Sequence, residues 1–226
     1  MRWTIRVCEA GMARMYEHSL PGKTEQEIWA ELHYENIRSG GEWLETRLLA
    51  AGPRTNPWFQ ECSQQSVAEG DLIAFDTDMI GPYGYCADIS RSWTVDHTPP
   101  SAAQRDLYGH AREQIDHNMA LIRAGVTMRE FNERSWRIPE RFLANQYGWA
   151  FHGVGMADEY PAAPTHPGFA GSAYEALDPV LEAGMVLALE SLIGEEGRGE
   201  CVKLETQVLV TEAACERLDA FPWEDW

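Results

Sequence analysis

Asp76, Asp78, Asp88, Glu190 and Glu205 each stand in or beside a run of apolar residues, as in Leu72-Ile-Ala-Phe-Asp-Thr-Asp-Met-Ile80 and Gly184-Met-Val-Leu-Ala-Leu-Glu190. An ionised carboxylate buried in such a run costs several kcal/mol unless a cation or donors compensate it, so the acids need a shared explanation. Asp76 and Asp78 are two apart, which in a pleated strand puts them on one face, and Asp88 falls across a hairpin from them. His152 lies in Phe151-His-Gly-Val-Gly-Met156, where glycines allow close backbone approach. Any one of these acids alone reads as a solvated strand residue. Together they read as a crevice whose charge is met by bound divalent metals or by arginines, and hard oxygens with one imidazole suit Fe, Mn, Co or Zn. The other histidines, His18, His33, His97, His110, His117 and His166, have no such setting and read as structural.

The elements that must carry these residues come in a repeated order. A helix from about Trp3 to Leu20 is followed by a second opened by the capping box Thr24-Glu-Gln-Glu27. A hairpin over Gly70–Ile80 and Tyr85–Val95 then turns at Gly81-Pro-Tyr-Gly84. The second half repeats this: a helix over about Ala102–Arg123, another opened by a second capping box at Thr127-Met-Arg-Glu130 with Pro139 as a potential kink, then strands at Gly184–Glu190 and Cys201–Val210. Gly70 precedes Asp76 by the same interval that separates Gly184 from Glu190, so the order ααββ-ααββ reads as an internal duplication. Two such halves packed about a pseudo-twofold axis would point all five acids into one crevice.

The 226 residues, 44% hydrophobic, suffice for one domain over 1–226. With 36 acidic against 18 basic residues the net charge is −18, which argues against nucleic acid and anionic membrane surfaces as partners. No apolar stretch has the length of a membrane span, and Glu9 and Glu17 interrupt any signal-like pattern, so a cytoplasmic setting is expected. The 5 cysteines form no C-x-x-C pair, which suggests neither a disulfide framework nor a thiolate zinc site.

On the residues Asp76, Asp88, His152, Glu190 and Glu205, the chain resembles the pita-bread metalloenzymes: methionine aminopeptidases, prolidases and creatinases. The resemblance implies an α+β fold of two ααββ units around a dinuclear metal site. It departs from the peptidases where they carry two further histidines: Gly52-Pro-Arg-Thr-Asn-Pro-Trp-Phe-Gln-Glu61 and Ala157-Asp-Glu-Tyr-Pro161 contain none. Within that fold the chain is more similar to the dimethylsulfoniopropionate (DMSP) lyases called DddP. The similarity runs through Phe75–Trp93 with its extra Asp78, through Gly52–Trp58 and through Lys203-Leu-Glu-Thr-Gln-Val-Leu-Val210. That resemblance implies Asp76, Asp78, Asp88, His152, Glu190 and Glu205 as ligands of two metal ions, usually iron, with Asp158 as the base and Tyr147 in contact with substrate. It also implies a homodimer, for which the aromatic termini Trp3 and Phe221–Trp226 offer surfaces. The lyases carry a further N-terminal domain that this sequence lacks, so Trp3, Trp58 or a partner subunit would complete the pocket.

Cleaving DMSP to dimethyl sulfide and acrylate needs a proton taken from beside the carboxylate and a neutral sulfide expelled, which a metal-held carboxylate and a base can accomplish. A tyrosine face at Tyr147 would suit the sulfonium. The competing readings are a metallopeptidase of Xaa-Pro or aminopeptidase type and a catalytically inactive peptide-binding module.

Overall fold

The computed structural model describes residues 1–160 and 162–226, and every side chain among them except those of residues 166 and 167. Two antiparallel helices open the chain, α1 (Arg2–His18) and α2 (Glu25–Arg38). The capping box of α2 forms as expected: Thr24 Oγ1 accepts from the Glu27 N–H at 3.1 Å and the Glu27 carboxylate accepts from the Thr24 N–H at 2.8 Å. Short strands follow: β1 (Trp43–Leu44), β2 (Leu49–Ala51), β3 (Leu72–Phe75), β4 (Met79–Ile80), β5 (Cys86–Ala87) and β6 (Arg91–Thr94). The second half contains α3 (Ala102–Met119), α4 (Met128–Arg134), β7 (Trp149–Gly153), β8 (Ala162–Pro164), α5 (His166–Phe169), α6 (Ala173–Leu177), β9 (Val186–Glu195), β10 (Arg198–Val210) and β11 (Cys215–Arg217).

The duplication is visible in the hydrogen bonds. Sheet order β2-β3-β6 in the first half is matched by β7-β9-β10 within the five-stranded sheet of the second. The Gly70 N–H donates to Val95 and the Gly184 N–H to Val210, each closing its hairpin at the far end. Both glycines have φ in the left-handed region, +80° and +97°, which a side chain there would strain, so the paired glycines mark equivalent turns. Likewise Gly22 and Val67 exchange bonds with the chain as Gly125 and Leu181 do.

Several expected elements end differently. Only half of the expected capping box at Thr127 forms: Thr127 accepts from the Glu130 N–H, while the Glu130 carboxylate pairs with Arg134, where the helix stops, ahead of Pro139, which instead opens a 3-10 helix over Glu140–Asn145. An unforeseen capping box at Ser101 and Gln104 opens α3. The two largest apolar clusters lie mainly one in each half, with Trp93, Phe75 and Met12 in the first and Phe131, Phe151 and Leu204 in the second, and two smaller ones join residues of both halves. Each such side chain fully buried contributes about 1.5–3 kcal/mol. The halves meet along β6 and β10, where Ser92 Oγ donates to the Lys203 carbonyl at 3.0 Å and the Glu205 N–H donates to Ser90 at 3.1 Å. The aromatic C-terminus packs inside the chain, Trp226 lying 4.5 Å from Tyr108 ring to ring, whereas Trp3 stays exposed.

Candidate metal centre

The first hairpin is not the continuous pair of strands that its apolar run suggests. β3 pairs with β6 and β4 with β5, but residues 76–78 and 88–90 between them leave the ladder. Asp78 takes φ +35°, so Asp76 and Asp78 do not share a face by pleat periodicity. The break is built: Thr77 Oγ1 donates to the Ala87 carbonyl at 3.0 Å and accepts from the Ile89 N–H at 2.9 Å, bridging the gap with a side chain. It turns Asp76, Asp78 and Asp88 to a common point, where one oxygen of each lies within 4.8 Å of the others. In contrast, β9 and β10 run unbroken through the site, and Glu190 and Glu205 are direct cross-strand partners. His152, expected in a glycine loop, stands instead in β7 opposite Ala188 of β9.

His152 Nε2 faces Glu205 Oε1 at 3.3 Å and Asp88 Oδ2 and Glu190 Oε1 at 3.5 Å. Its Nδ1 lies 3.2 Å from the Gly153 carbonyl and 3.5 Å from Asp158 Oδ1. A proton held at Nδ1 by those oxygens would leave Nε2, once it gives up its own proton, with a lone pair directed to the point where the acids converge. Glu190 Oε1 and Glu205 Oε1 are buried and have no hydrogen-bond partner. Orphaned carboxylate oxygens converging on an imidazole nitrogen form a donor set that fits a divalent ion, and Asp76, Asp78 and Asp88 form a second.

A third set, Asp76, Glu190 and Glu205, is filled by the protein itself. Lys203 Nζ lies 2.8 Å from Asp76, 2.9 Å from Glu190 and 3.3 Å from Glu205, with no exposed side-chain surface. The sequence reading gave Lys203 no role, although a lysine two residues before Glu205 in an apolar strand carries the same signal as the acids. Ser90, also unassigned, donates its hydroxyl to Asp76 at 2.8 Å or to Glu205 at 2.9 Å. Thr46 donates to Asp78.

The electrostatics record crowding. Burial and the neighbouring Asp76 charge push Asp78 up to about 8. Burial and the charges of Glu205, Asp76 and Asp78 hold Asp88 well above the carboxylate range. Burial also lifts Glu190 to about 8 against the pull of Lys203. At Asp76 burial works upward, but Lys203 prevails and the carboxyl titrates below its usual range. His152, which burial alone would lower, is raised to about 10 by Glu205 and Glu190.

Asp158 follows β7 in a turn, but its side chain is only 3% exposed and its Oδ2 is an orphan. Burial, opposed by His152, sets it near 7. Tyr147 lies on the other side, its ring 5.2 Å from Lys203 Nζ. With Trp58, Phe59 and Asn145 it lines a hollow of about 220 Å³. A second hollow, about 180 Å³, adjoins the end of β7 and the turn after it at Gly153, Met156 and Tyr160. Of the stretch Ala157–Pro161, Pro161 lies outside the described residues. Among the described residues, the candidate metal groups include no histidine besides His152.

The family model for metallopeptidase family M24 matches residues 1–212. The chain is similar to dimethylsulfoniopropionate lyase DddP of Roseovarius nubinhibens, 46% identical over 99% of this chain and 51% of that protein. It is also similar to the DddP of Roseobacter denitrificans, at 43% over 99% and 51%. It therefore spans about half the length of these curated relatives. Among solved structures, the Xaa-Pro dipeptidase from Bacillus anthracis superposes with a TM-score of 0.83 at 26% identity, covering 99% of this chain and 60% of that one.

Proposed function

The chain belongs to metallopeptidase family M24, and on that premise we propose that it is the catalytic domain, over 1–226, of a metal-dependent lyase that splits DMSP into dimethyl sulfide and acrylate. The observation that carries this reading is Asp158: a buried carboxyl with a free oxygen, set near 7, beside the imidazole of a centre that contains no second histidine among the described residues. The 46% identity to a DddP lyase over 99% of the chain supports it.

In this reading Asp88, His152, Glu190 and Glu205 would hold one ion and Asp76, Asp78 and Asp88 the other, with iron first among the candidates. Such ions supply Lewis acidity toward the substrate carboxylate, stabilising charge that grows beside it. Asp158 takes the proton from the carbon next to that carboxylate. The electron pair left behind forms the new carbon–carbon double bond, and the carbon–sulfur pair departs with sulfur, giving neutral dimethyl sulfide. A carboxyl near 7 is suited to this work at neutral pH, because it is substantially ionised and still basic. Tyr147 and Trp58, whose rings lie 5.2 Å and 5.9 Å from Lys203 Nζ, also line the hollow of about 220 Å³, where aromatic walls would favour a sulfonium. Lys203 stays paired with Asp76 and Glu190 and takes no part in proton transfer.

Asp158→Asn should leave metal content and fold intact and reduce dimethyl sulfide release on the order of 10²–10⁴-fold. Headspace measurement of dimethyl sulfide checks this, and near-normal release with confirmed metal would remove Asp158 as the base. Parallel incubation with a proline-containing dipeptide tests the peptidase alternative, for which the likeness to the Xaa-Pro dipeptidase from Bacillus anthracis speaks. No helix among the described residues is long and apolar enough to cross a membrane. Action in the cytoplasm, as a homodimer, completes the proposal.

A further inference from the structure

The segment after β11 returns across the back of the candidate centre and contributes none of its ligands. Its anchor is Arg91 of β6, 1% exposed. Arg91 Nη1 donates to the carbonyl of Glu205 at 2.6 Å and to that of Ser90 at 2.9 Å. Its Nη2 donates to the Asp219 carboxylate at 2.6 Å and to the Phe221 carbonyl at 2.9 Å, and its Nε to Pro222 at 3.3 Å. The tail thus holds one side of the guanidinium and the centre's backbone holds the other.

Trp223 closes the arrangement from outside. The guanidinium carbon of Arg91 lies 3.7 Å from the Trp223 ring centre, and those of Arg112 and Arg217 lie 4.3 Å and 4.6 Å away. Cation–π contacts of this kind strengthen as they are desolvated. Glu9 of α1 secures the tail, accepting from the Phe221 N–H at 2.6 Å and also from that of Ala220.

The residues that Arg91 grips are those whose side chains shape the centre. Ser90 Oγ bonds Asp76 at 2.8 Å and Glu205 at 2.9 Å, and Glu205 belongs to two of the three donor groups. A shift of either backbone carbonyl therefore moves the Glu205 carboxylate relative to His152 and Asp88.

We propose that residues 218–226 form a strap that positions Glu205 through Arg91, so that the centre's metal affinity depends on Trp223 and Glu9. This rests on the metal reading above. Partners that orient a ligand without touching the ion typically change affinity by 10–100-fold when removed.

The test is a Co²⁺ titration of the full chain followed by visible absorption, alongside thermal unfolding of the metal-free proteins. Wild type should take up Co²⁺. Trp223→Leu should bind it roughly tenfold more weakly with an altered absorption band, and Trp223→Phe, which keeps an aromatic face for Arg91, should recover most of the affinity. Glu9→Ala, a milder loosening, should weaken binding by about threefold, and it decides the matter if Trp223→Leu does not fold. If these variants melt earlier yet bind Co²⁺ with wild-type affinity and spectrum, the strap is structural support only and the proposal is wrong. A wild type that takes up no Co²⁺ overturns the metal reading and the proposal together, which is a distinct result.

Discussion

The two hairpins deliver acids to one place by opposite means. The second is continuous through the site, and Glu190 and Glu205 stand opposite each other on a regular ladder, their longer side chains reaching the centre without a break in the strands. The first is broken at 76–78 and 88–90, and its shorter aspartates reach the same place because the backbone leaves the ladder and bends toward it. Duplicated sequence has thus diverged into a rigid side and a shaped side. The continuous side also supplies a counter-ion, Lys203, which serves Glu190 and Glu205 and reaches across to Asp76, whereas Asp78 of the broken side is met by the Thr46 hydroxyl and Asp76 also by that of Ser90.

Removing the counter-ion of the rigid side should have the largest effect. Lys203→Met leaves Asp76, Glu190 and Glu205 uncompensated, and breaking a buried ion pair from one side costs about 3–5 kcal/mol. For a chain of this size that lowers the melting temperature of the metal-free protein on the order of 10 °C. A metal-free variant melting within about 2 °C of wild type would mean that Lys203 does not balance the acids.

A pH titration should show the strain shared by both sides. Asp78 and Glu190 titrate near 8 in the folded protein against ordinary values of 3.8 and 4.5, and His152 near 10 against 6.5. The folded metal-free protein therefore binds more protons than the unfolded chain from about pH 4 to 8, and its stability falls as pH rises through that window. Bound metal requires deprotonated ligands and reverses the slope. Melting curves at pH 5, 6.5 and 8, with and without Mn²⁺, check it. A metal-free melting temperature that rises across that range contradicts the crowding described here.

The smallest effect isolates the break. Thr77→Val removes the hydroxyl that bridges Ala87 and Ile89, costing about 1–2 kcal/mol and loosening Asp76 and Asp78 without removing a carboxylate. Metal at the aspartate group, all of whose members lie in the break, should weaken more than metal at the group containing His152, which shares only Asp88 with it. Equal weakening of both would erase the distinction between the hairpins.

The acids themselves were legible in the sequence, because a carboxylate amid Leu72–Phe75 or Leu187–Leu189 has no other cheap explanation. So was the duplication, through Gly70 and Gly184, and so were the caps at Thr24 and Thr127. The break was not, because Asp76-Thr-Asp78 flanked by apolar residues follows strand alternation, and only the Thr77 bridge to a distant segment shows that the ladder stops. β7 was missed because Gly148 and Gly153 bracket it and a short glycine-rich segment reads as a loop until β9 is present to pair with it. Lys203 is legible by the same rule as the acids, since a cation inside the apolar run Cys201–Val210 needs a buried partner.

The central claim is that the two hairpins together hold two divalent ions, with Asp88 common to both unfilled groups. Elemental analysis of wild type and Asp88→Ala, loaded identically with Fe²⁺ and freed of excess, tests it most directly. The expected result is two ions per wild-type chain and near-complete loss in the variant. A metal-free wild type, or an Asp88→Ala protein with the full complement, would contradict it.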